Sequence, residues 1–489
     1  MNNLGLMLNR KIEMTFLENH YLFFLSKENV MGSFERIGTG IIVDWTRLLK
    51  DKVPVFSFVA GVLGIVSCFA LIPLAGAEEE TAGSTDSAGS VLSSFPERRK
   101  EQFQTSFGYA LFPYPYNIPG IGGGVGLVGG AMNIANTYTD VYGIVYSGDV
   151  EGMAAGVGDI HIIPRTLVLD LGFSKVSKAT IQSYGERGMN TDKNDYRLLE
   201  IDGAENYGGR MTATFFERRI EVYGGWYENA AKLRSIRDKD GNLIVEAQDA
   251  ARERHRTTLL GTRFDLTDDY GDPRRGVRLD ITRYATPPSN SGPDFAVIDY
   301  NLTGYLPLGK RSTWVFNHLR SDALISRQGE TDPAKIQQQQ GINCTDPSLT
   351  PQQQQYCNQV VNNMVANNTY GTAASLGGLS RLRSYSQGRF SGAHTQFYGT
   401  EVRWNLTDES TPFDIFVMKD IRTAFQLAFF YELGSTADLL QDVDKTWRES
   451  YGVGLRMVTA SGVVFRADIA NGHDGIASEI FIGYPWEIF

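Results

Sequence analysis

Few stretches of this 489-residue chain look able to do chemistry. "GVGLVG", Gly124 to Gly129, has the spacing of a dinucleotide-binding loop, which needs a strand before it and a helix after it. Its flanks are "FPYPYNIPG" and "AMNIANTYTDVYGI", and neither fits. A glycine-rich, weakly packed strand over roughly 121–132 is the better reading. His161, His255, His318, His394 and His473 are scattered. A lipid hydrolase needs a histidine beside a serine nucleophile and an orienting group, and no such pair falls on one face. His473 beside Asp474 in "NGHDG" reads as a hairpin turn. No catalytic residue, cofactor or metal site is expected, and the chain is not read as an enzyme. A net charge of −10 and a pI near 5.3, with no basic stripe, argue against a nucleic-acid partner. What remains is "GGLSRLRSYSQGRFSG", Gly377 to Gly392, with Arg381 and Arg383 close to Tyr385 between bracketing glycines. It is neither an amphipathic helix nor an alternating strand. Its composition suits a solvent loop, unless Arg383 points inward at something specific.

The elements that must hold such a loop begin with an export signal. "VPVFSFVAGVLGIVSCFALIPLAGA", Val53 to Ala77, is strongly apolar and follows Arg47, Lys50 and Lys52. Ala75-Gly76-Ala77 before Glu78 has the small-x-small form of a cleavage site, so residues 1–77 read as leader and signal peptide. The alternative is an N-terminal membrane anchor, since the run is long enough to span. The residues before position 47 make a long leader, and the true start is expected near Leu48 or Leu49. Cys68 lies inside the apolar run and makes a poor lipoprotein box. Export places Cys344 and Cys357 in an oxidising compartment, where a disulfide between them is expected, worth about 3 kcal/mol on the loop-entropy model. Residues 78–104 are small, polar and charged and read as a flexible periplasmic linker.

From 105 to 489 the pattern is uniform: short alternating runs, turn residues between them, and no convincing long helix. In "YGTEVRWNL", Tyr398, Thr400, Val402, Trp404 and Leu406 oppose Gly399, Glu401, Arg403 and Asn405. "TAFQLAFFYE" puts Gln426 and Glu432 on the polar side, and "VVFRADI" does so with Arg466 and Asp468. Arg278, Asp280, Asp299 and Asn301 repeat the habit earlier. "EIFIGYPWEIF" is expected to continue as a last strand with Ile480, Ile482, Tyr484, Trp486 and Ile488 on one side. A soluble sandwich would turn its apolar face to a core; a membrane barrel turns it to lipid and its polar face to a lumen. The charges of both signs beside glycines, and aromatics at strand ends, favour the barrel, which is also the one way strands cross lipid without open edges. At about 24 residues per strand and connection, 16 strands fit. Ala460-Ser461-Gly462 is short enough for a periplasmic hairpin, and the glutamine-rich insertion from Arg327 to Asn368 would be extracellular. Closure would pair 121–132 with 478–488.

Four motifs together resemble the BamA/TamA superfamily of outer-membrane barrels, the bacterial surface antigen family, over about residues 105–489. They are the loop with Leu382-Arg383-Ser384-Tyr385 followed by Gly388 and Arg389, and "FDLTDDYGDPRRGVRLDI" with Asp269, Pro273 and Gly276. The others are "AFFYELGSTAD" with Glu432 and Gly434, and a final strand with Gly483, Trp486, Ile488 and Phe489 in the places of the barrel-targeting signal. The resemblance implies that the loop folds into the lumen and that its arginine pairs with a wall acid, here Arg383 with Glu432. Ser384 stands where the family has glycine, and Glu432 where it has aspartate. It also implies a Gram-negative outer-membrane location and a weak first-to-last seam. The implied role is insertion or translocation of outer-membrane proteins or lipid components, with periplasmic accessory or client proteins as partners. The linker is too short for POTRA domains and carries no G-x-S-x-G elbow, so a stand-alone barrel is expected. The alternative function is a passive pore or structural barrel.

Overall fold

The computed structural model describes residues 95–489, apart from 104, 248–249, 251, 286–291, 408–411, 416–417, 460–463 and 487–489. The expected signal peptide with Ala75 and Ala77, the hairpin at 460–462, and Ile488 and Phe489 lie outside the described residues.

The strands are β1 (Gly108–Ile118), β2 (Gly122–Met132), β3 (Asp140–Gly148), β4 (Glu151–Ile163), β5 (Leu167–Tyr184), β6 (Tyr196–Phe215), β7 (Ile220–Arg237), β8 (Leu243–Glu246), β9 (Glu253–Thr267), β10 (Gly276–Ala285), β11 (Asp294–Pro307), β12 (Ser312–Arg327), β13 (His394–Asn405), β14 (Pro412–Ile415), β15 (Met418–Ala437), β16 (Arg448–Thr459), β17 (Val464–Gly472) and β18 (Gly475–Ile482). β8 and β14 are four-residue pieces beside β7 and β15, which leaves sixteen full strands in a closed, antiparallel, next-neighbour barrel. Alternation decides which way each side chain turns. On β13, Tyr398 and Trp404 are exposed while Glu401, Arg403 and Asn405 are buried, and β6, β7, β9 and β15 follow the same rule. Exposed Leu, Val, Phe, Met, Tyr and Trp therefore make an outer apolar belt, and buried Arg, Asp and Glu fill the interior.

The first strand is 108–118, not 121–132; the glycine-rich segment is the second, paired with β1 over eleven positions from Gly108–Met132 to Ile118–Gly122. The glycines make room for aromatics: a Cβ on Gly126 would stand 2.4 Å from the Tyr114 ring. Pro113 and Pro115 disguise β1 in the sequence, because a proline cannot donate to a ladder. With β2 fully paired, their missing donors fall on the other edge, the one that closes the barrel. Closure there is slight: Asn117 opposite Ile480, with the Asn117 amide donating to the Ser478 carbonyl at 2.5 Å. Lower on β1, Tyr109 and Ala110 pair with Lys419 and Met418, at the end of β15 that extends beyond β13. The expected pairing of 121–132 with 478–488 is thus corrected on both strands.

Two other expectations change. The 327–371 insertion holds two helices, α1 (Pro333–Gln340) and α2 (Pro351–Tyr370). Glutamine is a good helix former, and Thr350 closes a capping box with Gln353 behind Pro351. Cys344, in the connection after α1, and Cys357 of α2 form a disulfide, and the buried face of the insertion packs on Leu199, Leu233, Ile236 and Ile244 of β6, β7 and β8. Residues 95–103, expected within a flexible linker, lie against the turn between β9 and β10. Arg98, Arg99 and Lys100 meet Asp265, Asp268, Asp269 and Asp272, and Gln102 accepts from the Tyr270 N–H at 2.8 Å. Charge complementarity orders a segment whose composition alone suggests freedom.

Candidate functional site

The loop 371–393 leaves α2, enters the lumen and returns to β13. A short bridge between Leu376 and Phe390 closes its base. Gly377 and Gly378 take φ of +103° and +97°, conformations open to glycine at little cost. At the tip, Leu382 sits at φ +54°, fully buried against Gly434, where a Cβ would stand 2.7 Å from Leu376 and 3.1 Å from Leu382. Gly434 on β15 is what lets the loop approach the wall.

Arg383 follows at the centre of the barrel with no exposed surface. Its Nε donates to Glu432 Oε1 at 3.0 Å and its backbone N–H to Glu432 Oε2 at 2.9 Å, so one carboxylate grips both side chain and main chain. Its Nη1 donates to Asp468 at 2.8 Å, and Glu401 lies at 3.4 Å. The guanidinium carbon stands 3.3 Å from the Phe430 ring centroid. Around it Arg403 donates to Glu401 at 2.7 Å, Arg456 also pairs with Glu401, and Arg466 lies 3.2 Å from Glu479. Four arginines (383, 403, 456 and 466) thus face four carboxylates (Glu401, Glu432, Asp468 and Glu479), all buried. Balance of charge is what makes this burial affordable, since an unpaired ion at this depth would cost several kcal/mol.

The rest of the loop motif fastens the tip. The Ser384 N–H donates to Ser450 Oγ at 3.0 Å, and the Tyr385 hydroxyl donates to the Glu449 carbonyl at 3.0 Å while accepting from the His473 N–H at 3.1 Å. Gly388 takes φ +65° beside Arg389, whose Nε donates to Asp474 at 2.7 Å and whose guanidinium covers Tyr184 at 4.2 Å. Arg381 reaches the Trp486 carbonyl at 3.2 Å.

Trp486 is the main surprise. It was expected on the outer face of a continuing strand, but β18 ends at Ile482 and Gly483, at φ +125°, turns the chain inward. Trp486 is buried in the lumen and its Nε1 donates to Glu432 Oε1 at 2.7 Å. The nearby Tyr484 hydroxyl donates to Asp272 at 2.7 Å, tying this end of the chain to the β9–β10 turn. The physical reason is local: glycine followed by Tyr484 and Pro485 cannot carry on a ladder. Alternation placed Glu401, Glu432, Arg466 and Asp468 inward but gave no height along the strand, so it could not say that they meet.

A second charged layer lies toward the β9–β10 turn. Arg263 pairs with Asp280 and donates to the Tyr270 hydroxyl at 2.7 Å, Arg278 pairs with Asp265 at 2.8 Å, and Arg218 with Glu221 at 2.8 Å. Asp272 is held below the ordinary carboxylate range: burial pushes it up, but Arg274, Arg99 and the Tyr484 hydroxyl outweigh that. No group of three or more His, Cys, Asp or Glu suited to a metal occurs among the described residues. The arrangement is a filled interior held by hydrogen-bonded ion pairs.

No family model matches the chain, and no curated protein matches it. Among solved structures, BamA from Haemophilus ducreyi lacking POTRA domains 1–3 aligns at 12% identity and TM-score 0.42, over 78% of this chain and 69% of that one. CdiB from Escherichia coli aligns at 12% identity and TM-score 0.47, over 79% of this chain and 66% of that one. Wzi, an outer-membrane protein involved in group 1 capsule assembly in Escherichia coli and described as a carbohydrate-binding β-barrel, aligns at 11% identity and TM-score 0.28, over 78% of this chain and 84% of that one. These TM-scores lie under 0.5, and the barrel architecture rests on the strand pairing described above.

Proposed function

We propose that this chain is an outer-membrane barrel that assists insertion or translocation of outer-membrane proteins or lipid components, in the manner of the BamA/TamA superfamily. The exposed apolar belt supports membrane residence, since sixteen strands would otherwise present it to water. The observation that carries the finer reading is Arg383: a loop arginine drawn to the barrel centre by Glu432, Asp468 and Glu401 fills the lumen and argues against a wide passive pore. The seam adds to it, because two prolines and, among the described residues, one paired position with β18 and two with β15 leave this edge of the barrel easy to part. Partners would be the bilayer, client outer-membrane proteins and a periplasmic accessory protein.

The test is the outer-membrane proteome of cells depleted of this protein, with a seam-locked variant as control. Selective loss of other barrels or of one surface lipid class supports the reading. Asn117→Cys with Ile480→Cys, cross-linked across the seam, would reproduce the loss while leaving the barrel folded. An unchanged proteome in viable depleted cells would make this a structural barrel or pore instead.

A further inference from the structure

The chain is acidic as a whole, at −10, yet one part of its outer wall is the reverse. β5, β6, β7 and β9 are neighbours, and their registers stack outward-facing residues in levels. Phe173, Tyr207, Glu228 and Arg256 form one level, with Trp226 next to it on the side of the apolar belt. One level beyond come Lys175, Glu205, Ala230 and Arg254, and then Lys178, Asp202 and Lys232, with Arg252 just before β9. These levels thus carry six cations (Lys175, Lys178, Lys232, Arg252, Arg254, Arg256) against three carboxylates (Asp202, Glu205, Glu228), with Glu151 of β4 at the edge level with Lys178, and Arg237 pairs with Glu200 further along the rim. Three of the six are engaged: Lys175 and Arg252 with Glu205 at 3.5 and 2.8 Å, and Arg256 with Glu228. Lys178, Lys232 and Arg254 make no ion pair with another described residue, and Lys178 and Arg254 are exposed.

The level matters as much as the charge. Tyr207 and Trp226 are exposed aromatics of the kind that sit where acyl chains give way to headgroups. Tyr207 and Phe215 are eight residues apart on β6, about 26 Å of strand and about 20 Å of membrane depth at a tilt near 40°. The cations begin at the level of Tyr207 and continue away from the belt, at headgroup height. Arg256 lies with its guanidinium 5.7 Å from the Trp226 ring, and the Tyr207 hydroxyl donates to Glu228 at 2.7 Å, so polar tips and apolar bodies are arranged as at an interface.

We propose that this face of β5, β6, β7 and β9 seats the phosphate groups of a lipid headgroup in the leaflet that meets this rim. The inference rests on the membrane-barrel reading, but not on any role in assembly. The occupant follows from charge complementarity: unpaired cations on a lipid-facing wall, at headgroup depth, match a phosphate whose acyl chains would lie along Met211, Leu171 and Leu260.

The test uses the full chain in phosphatidylcholine vesicles with and without a phosphatidic acid fraction, reading the temperature at which the folded barrel loses its compact gel mobility. Phosphatidic acid is expected to raise that temperature by a few degrees, and Lys175→Gln/Arg254→Gln/Arg256→Gln to lose most of the rise. Arg254→Gln alone, which breaks no ion pair between described residues, should lose part of it, so the prediction survives poor folding of the triple variant. An equal rise in wild type and variants, or none in wild type, would overturn the site. A rise reproduced by inorganic phosphate in plain phosphatidylcholine would overturn the headgroup as its occupant. Failure of the wild-type chain to float with vesicles at all would instead sink the membrane reading.

Discussion

At the scale of single residues, the interior is governed by the cost of leaving a charge alone. Arg383→Ala would take the buried guanidinium away from Glu432 and Asp468, and Glu432→Ala would leave the Arg383 Nε–H and backbone N–H and the Trp486 N–H without their acceptor. Each is expected to lower stability by about 3–5 kcal/mol, the range for breaking a buried pair. The double variant should cost clearly less than the sum, as read from urea titrations of the vesicle-embedded barrel. Additive losses would mean that the two side chains do not act on each other. The contact between Arg383 and Glu432 could be anticipated because period-two alternation turned Glu432 inward and the loop motif supplied the arginine. Trp486 could not be placed the same way: parity assigned it to lipid, and only the Gly483–Pro485 spacing warned that the strand stops.

At the scale of elements, order comes from tethers that composition hides. The helical insertion has little apolar surface of its own, and its disulfide closes the 13-residue separation between Cys344 and Cys357. Cys357→Ser, or reduction, should loosen α1 and α2 by about 2–4 kcal/mol. Protease cleavage within 333–370 should then quicken while the strands stay protected. The segment 95–103 behaves as a second tether, and its dependence on acid follows from Asp272. A carboxyl held below its ordinary value of about 3.9 contributes stability that is complete above that value and is lost as pH falls through the lower, folded-state value. Amide exchange in residues 95–103 should therefore stay slow at pH 5 and accelerate only below about pH 4; acceleration already at pH 6 would deny Asp272 that role. The disulfide was legible in the sequence, but what the helices pack on and the order of 95–103 were not, because both segments are polar and low in apolar content. Their partners, Leu233 and Ile236 for one and Asp268 to Asp272 for the other, lie far away along the chain.

At the scale of the whole molecule, the strand number was readable from length and the antiparallel order from alternation and turn spacing, which are local. The seam was not, because Pro113 and Pro115 made the first strand look like a loop. A barrel filled by its own loop should conduct poorly. Planar-bilayer recordings are expected to show small, flickering currents for the intact chain and a several-fold larger, steadier conductance once residues 377–388 are removed. Equal conductance in the two would mean that the loop does not block the lumen.

The order in which the interior partners appear along the chain has a consequence for biogenesis. Arg383 is made before Glu401, Glu432, Asp468 and Trp486, and all four reach it from residues beyond 400. A ribosome, or an export channel working from the N-terminus, therefore delivers the positive charge first and its neutralising partners last. Until the final fifth of the chain arrives, the interior must stay hydrated, and it dries only as the cylinder closes. Drying and closure are then one event, so an interrupted chain is left wet inside and open to degradation.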